Sequence, residues 1–258
     1  MTKMSKPFEG SWSDRDVALF STLGHRPHKT DHISIYTVKW GTKYNSAHVN
    51  NVYEACMRNI TRDFEFFCLT DDASDLWGNI EVIPLPQNNY YEKWWNKLHL
   101  FDKTLITQPG EKMFLDLDIH IQKNIDAIVD FDVSDCLCFL KTHWHDLERQ
   151  YKQTRHIPHK FTDLNSSVLR WNDNLDVDKI TNFVKDYPSQ LFWYYRGLDN
   201  MFGHRRERLV NIKFFPTGWA YSYNYGYIYP TDIEERIKRD LPYFCLFDSM
   251  ERPQDVKL

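Results

Sequence analysis

Two hydrophobic rhythms alternate along the first half of the chain. HISIYTV (32–38) has β-branched side chains at alternating positions, the pattern of a first strand. KWGTKYNS follows as a turn. In AHVNNVYEACMRN (47–59), Val49, Val52, Tyr53, Cys56 and Met57 recur at three- and four-residue steps and form one apolar helical face. DFEFFCLTDD (63–72) reads as a second strand ending on Asp71 and Asp72, and NIEVIPLP (79–86) as a third, stopped by Pro84 and Pro86. Helical spacing returns over YYEKWWNKLHLFDKTLI (90–106), TQPGE makes a turn, and EKMFLDLDIHI (111–121) reads as a buried strand. Strand, helix, strand, strand, helix, strand within about ninety residues predicts an α/β domain with a mainly parallel sheet.

The second half is less regular. NIDAIVDF (124–131) fits a short helix, VSDCLCFL (133–140) and FTDLNSSVLRW (161–171) fit strands, and DVDKITNFVKDY (176–187) fits a helix opened by an acidic cap. The stretch 208–230, RLVNIKFFPTGWAYSYNYGYIYP, reads as aromatic strands or loops. Residues 1–30 lack periodicity and predict a poorly ordered arm before a single domain over 31–258. That domain divides into a first half, 31–132, and a second half, 133–258.

Composition narrows the classes. With 258 residues, 42% of them hydrophobic, the chain can bury one large core. A formal charge of -4 supplies no global positive field for nucleic acid or an anionic membrane. The basic cluster His204, Arg205, Arg206 and Arg208 reads as a solvated face. Five cysteines, an odd number without a Cys-x-x-Cys pair, predict reduced and mostly buried thiols in a cytoplasmic protein. No stretch has the apolar length of a signal peptide or membrane helix. His143 and His145, and His156 and His159, have no partner spacing that completes a zinc site and read as loop histidines. Aromatic residues, at 16%, exceed what packing alone needs, and such a surplus can line pockets for rings and sugars.

The chemistry concentrates in Asp116 and Asp118. Residues two apart in a strand face the same way, so two carboxylates would stand together and repel unless protonated or bridged by a cation. Oxygen-only ligands suit Mg2+ or Mn2+, which complete their shells with water and phosphates. At the carboxyl end of a parallel sheet such a pair would hold a metal against a diphosphate. The structural alternative is a strand-end turn in which both acids cap backbone amides.

Taken in order, TVKWGTKYNSAHVNNVYEACMRN, FCLTDD, WWNKLHLF, MFLDLDIHI, LNSSVLRW and GLDNMF resemble the nucleotide-sugar glycosyltransferases of the A-type fold, nearest to family 8 and related phage and bacterial enzymes. The resemblance is fullest over 33–132 and thinner over 163–172 and 193–226. It implies a single Rossmann-like α/β domain with a mainly parallel, mixed sheet flanked by helices. It also implies that Thr37, Val38 and Tyr44 cradle uracil and ribose, with Asp71 and Asp72 near them. Lys97 would meet phosphate or sugar, Asp116 and Leu117 would contact the nucleotide, and Asp116 and Asp118 would hold the metal. Asn165 and Ser166 would lie beside the sugar, and Asp199, with Asn200 in place of the family's Gln, at the reacting face. In the region where the family supplies a late His as third metal ligand, then Gly and Lys, this chain has GWAYSYNYGY, with Ser222, Tyr223 and Asn224 and neither His nor Lys.

The resulting expectation is a metal-dependent hexosyltransferase acting from UDP-glucose or UDP-galactose on an unknown hydroxyl acceptor, with retention of configuration and without a membrane anchor. The other classes are a non-catalytic carbohydrate-binding protein on the same fold and a metal-dependent phosphohydrolase or nucleotidyltransferase. Release of UDP, rather than inorganic phosphate or none, separates the three.

Overall fold

A computed structural model describes residues 29–87, 90–145, 147–185, 188–223 and 242–247. Nearly all of the expected N-terminal arm, and the end of the aromatic stretch from Asn224 onward, lie outside these. Strand β1, His32–Lys39, is buried from Ile33 onward, as a strand covered on both faces must be. It pairs in parallel with β2, Asp63–Thr70, and with β4, Glu111–Leu115, while β2 pairs in parallel with β3, Glu81–Pro84. Strand β7, Leu164–Trp171, runs antiparallel to β4 and to β6, Cys136–Lys141, and β6 is parallel to β8, Asn211–Phe214. The result is a seven-stranded, mainly parallel sheet in the order β3-β2-β1-β4-β7-β6-β8.

The period of two in these strands divides the interior into two cores. Ile33, Ile35, Met113 and Leu115 face helix α1, Ser46–Asn59, through its Val49, Val52 and Cys56. Tyr36, Val38 and Phe114 face the opposite layer, with Leu98, Phe101, Ile180 and Phe202. Among the described residues all five cysteines are free, and all but Cys136 are buried. A three-stranded sheet completes the fold: β5, Ile119–Ile121, pairs antiparallel with β10, Phe244–Leu246, which pairs in parallel with β9, Ala220–Ser222. No helix among the described residues is long and apolar enough to cross a membrane.

Three expectations are corrected. The strand expected through 111–121 is two strands in different sheets, with Asp116, Leu117 and Asp118 in a turn between them. A continuous strand would bring both carboxylates onto one face of an apolar sheet. The turn instead sends Leu117 into the core at 2% exposure and aims the two acids at polar partners. The helix expected over 90–106 is a 3-10 helix, Lys93–Phe101, with Trp95, Leu98 and Phe101 buried at steps of three. The stretch around Asp199, to which the sequence pattern assigns no helix, is the first turn of one, Leu198–Leu209.

Candidate active site

The carboxyl ends of the parallel strands converge on one region, where open α/β sheets gather ligands. At the end of β1, Thr37 is fully buried and its hydroxyl has no hydrogen-bond partner among the described residues. Val38 is buried beside it. The chain then turns at Gly41, whose φ of +58° is costly for other residues. The Gly41 amide donates to Asp71 Oδ2 at 2.8 Å, tying the turn to the end of β2. Lys39, buried, donates from Nζ to the Asp72 carbonyl at 2.7 Å. Sequence reading passed over Lys39 because it closes an apolar run. Its buried ammonium now supports the Asp71–Asp72 corner.

Tyr44, in the loop before α1, donates its hydroxyl to Asp118 Oδ2 at 3.2 Å. Asp118 is buried, and its carbonyl accepts from the Phe247 amide at 3.0 Å, next to β10. Asp116 continues the β4–β7 ladder by donating its amide to the Ser167 carbonyl at 2.9 Å, and its Oδ2 meets Lys97 Nζ at 2.6 Å. Lys97 projects from the 3-10 helix, its ammonium 5.0 Å from the Phe114 ring centre. Burial alone would depress its pKa, yet Asp116, Asp199 and Asp118 together raise it. Burial pushes the Asp116 carboxyl up to about 6 against the pull of Lys97, with Asp118 and Asp199 adding to the rise.

Asp199 reaches the same region from the opposite side. Its Oδ1 accepts from the Ser166 amide at 3.1 Å, and burial raises its pKa while Lys97 lowers it. Asn165 Oδ1 accepts from the Ser167 amide at 2.9 Å, holding the start of β7. Asn200 points elsewhere, donating to the Lys160 carbonyl at 3.0 Å. Ser222 is buried in β9 and Tyr223 follows, stacked on Phe247 at 5.1 Å. Three further residues escaped sequence reading. Thr162 donates to the Asp199 carbonyl at 3.0 Å. Trp94 donates from Nε1 to the Arg196 carbonyl at 3.0 Å, and Gly197 packs against that indole.

Lys97 is thus ion-paired with Asp116 and feels the negative charge of Asp118 and Asp199 as well, three carboxylates acting on one ammonium. Unbalanced negative charge and hard oxygen donors are the chemistry that suits a divalent cation, and Asp116 and Asp118 are the two acids that could hold one. Among the described residues no group of three or more His, Cys, Asp and Glu side chains converges on a metal position. Two protein carboxylates completed by water and phosphate oxygens suit Mg2+, which keeps much of its own shell.

This arrangement of sheet and helices is the A-type glycosyltransferase fold. The bifunctional glycosyltransferase WbbM is similar at TM-score 0.60 and 10% identity, over 86% of this chain and 47% of that one. The galactosyltransferase LgtC, solved with donor and acceptor sugar analogues, is similar at TM-score 0.56 and 15% identity, over 85% of this chain and 88% of that one. The glycosyltransferase GlyE of Streptococcus pneumoniae TIGR4 is similar at TM-score 0.56 and 10% identity, over 87% of this chain and 56% of that one. The chain therefore spans about half the length of WbbM and GlyE and most of LgtC. No family model matches the sequence, and no curated protein does.

Proposed function

We propose that the protein is a glycosyltransferase that moves a hexose, glucose or galactose, from a UDP-sugar to an acceptor hydroxyl. The observation that carries this reading is the charge imbalance around Lys97: Asp116, Asp118 and Asp199 face one ammonium at the carboxyl ends of the parallel strands. Thr37, Val38 and Tyr44 would take the uridine, the buried Thr37 hydroxyl having no hydrogen-bond partner among the described residues. Asp116 and Asp118 would hold Mn2+ or Mg2+, whose charge would offset that developing on the departing diphosphate. Lys97 adds a second positive charge there. Asp199, with Asn165 and Ser166 at the start of β7, would orient sugar and acceptor.

In the reaction the bond between sugar carbon one and the diphosphate oxygen breaks, UDP leaves with that electron pair, and the acceptor oxygen bonds to carbon one as its hydroxyl gives its proton to the departing diphosphate oxygen. Retention of configuration is the outcome proposed, and the anomeric NMR signals of the product report it.

The test is UDP release from UDP-glucose and UDP-galactose with Mn2+ or Mg2+ and a panel of hydroxyl acceptors. Asp118→Ala is expected to lower that rate about a hundredfold or more. Undiminished UDP release by the wild type in excess chelator would end the metal-dependent reading. Glycan binding without any UDP release would end the catalytic one.

A further inference from the structure

We propose that Trp94 is a stacking platform for a pyranose ring of the acceptor, so that the acceptor is itself a carbohydrate; this rests on the glycosyl-transfer reading above. A 3-10 helix has three residues per turn, so residues 94, 97 and 100 line up in one row along Lys93–Phe101. The row runs from the surface to the core: Trp94 is 47% exposed, the Lys97 side chain 12%, and Leu100 1%. Lys97 ends on Asp116. Trp94 therefore stands one helical turn before Lys97, about 6 Å of rise along the helix axis, on the same face.

A second connection reaches Trp94 from the other side. Its indole N–H donates to the Arg196 carbonyl at 3.0 Å, and a Cβ on Gly197 would come within 3.2 Å of that nitrogen. Gly197 lies two residues before Asp199, whose carboxylate is held by the Ser166 amide. The indole is thus held between the 3-10 helix that carries Lys97 and the segment that leads into Asp199.

What Trp94 leaves exposed is apolar. Indole has a single donor, and Arg196 uses it; the Lys93 ammonium lies 5.8 Å from the ring centre, and what is left exposed is ring face and hydrocarbon edge. The preceding residue, Lys93, holds a left-handed φ of 54°, a strained conformation that persists where the surroundings over-determine it. A pyranose has one face of C–H bonds and a rim of hydroxyls. An aromatic plane beside an acidic pocket complements both, the plane taking the C–H face and Asp199 accepting from a hydroxyl. An anionic acceptor would be repelled by the carboxylates, and an acceptor without a ring would leave the indole uncovered.

Acceptor kinetics test this with methyl glucoside and methyl galactoside as ring-bearing acceptors and glycerol as a polyol without a ring. Trp94→Ala is expected to raise the KM for the glycosides about tenfold, the loss of roughly one stacking contact, with kcat reduced less than threefold. Trp94→Phe should recover most of the KM. Gly197→Val, which displaces the indole, should behave like Trp94→Ala. With glycerol the change in Trp94→Ala should stay under threefold. Saturation transfer from protein to glycoside ring protons should weaken in Trp94→Ala.

Glycoside KM unchanged in Trp94→Ala, or equal losses with glycosides and glycerol, would overturn the platform while leaving the glycosyl-transfer reading in place. Absence of UDP release by the wild type with every donor and acceptor would overturn that reading and the platform with it.

Discussion

Lys97 owes its charge to its neighbours, and they owe theirs to it. Replacing it by Ala would leave Asp116, Asp118 and Asp199 facing one another in a poorly solvated site. Because Asp116 can take a proton when unopposed, the expected cost is about 2 kcal/mol near pH 8, below the roughly 3–5 kcal/mol for breaking a buried pair that cannot neutralise itself. It should shrink toward pH 5, as urea unfolding of Lys97→Ala against the wild type would measure. Two residues along the same 3-10 helix, burial lowers the His99 imidazole to about 4 from an ordinary 6.5, against the opposite pull of Asp102. The folded state keeps this ring neutral while the unfolded chain takes its proton first. Stability from His99 is therefore complete above about pH 6.5 and is lost as pH falls toward 4, at up to about 1.4 kcal/mol per pH unit. Asp116 acts with the opposite sign, since its raised carboxyl binds a proton in the fold before it does in the unfolded chain. The difference between wild type and His99→Gln isolates the histidine: between pH 7 and pH 5 the wild type should lose about 1–2 kcal/mol more.

Between elements, Arg170 binds the β4–β7 pair to the helix that follows β5. Fully buried, it donates to the carbonyls of Ile128, Lys112 and Val129, at 3.1, 2.8 and 2.6 Å, and to Glu111 Oε2 at 3.0 Å. Arg170→Met is expected to cost about 3–5 kcal/mol, because Glu111 and three carbonyls lose their donor together. Thermal or urea unfolding would show it. Elements whose pattern matches their burial were legible in the sequence: β1, β2, β3 and α1 stand where the alternating and helical runs put them. The 3-10 helix was not, because a step of three and a step of 3.6 select almost the same apolar positions over nine residues. Helix Leu198–Leu209 was hidden by Gly203, which lowers helix propensity. A Cβ there would come within 3.1 Å of Thr162 Oγ1, so close packing favours the glycine. Asp116, Asp118 and Lys97 stood out in the sequence as candidates because a charge inside an apolar run is costly to bury unless an opposite charge or a ligand meets it, and the structure pairs Lys97 with Asp116. Trp94 was not, because nothing in KWWNK separates the buried Trp95 from its half-exposed neighbour.

At the scale of the molecule, the large sheet and the acidic turn are held by different parts of the chain. All seven strands of the sheet lie before residue 215, whereas the small sheet that continues from Asp118 needs β10. A chain cut after residue 241 is therefore expected to keep the far-ultraviolet signature of the seven-stranded sheet and to lose UDP release, with a lowered Tm because Phe244 and Leu246 leave the core. Circular dichroism and the release assay on the same sample would check it. The bond from the Phe247 amide to the Asp118 carbonyl also sets an order of events during synthesis. At about 5–20 residues per second, the residue that closes the acidic turn emerges from the ribosome on the order of ten seconds after the acids do. Through that interval a nascent chain can build its first parallel strands yet has not closed the turn that carries Asp118, so any work done by that turn waits until translation has passed this late segment.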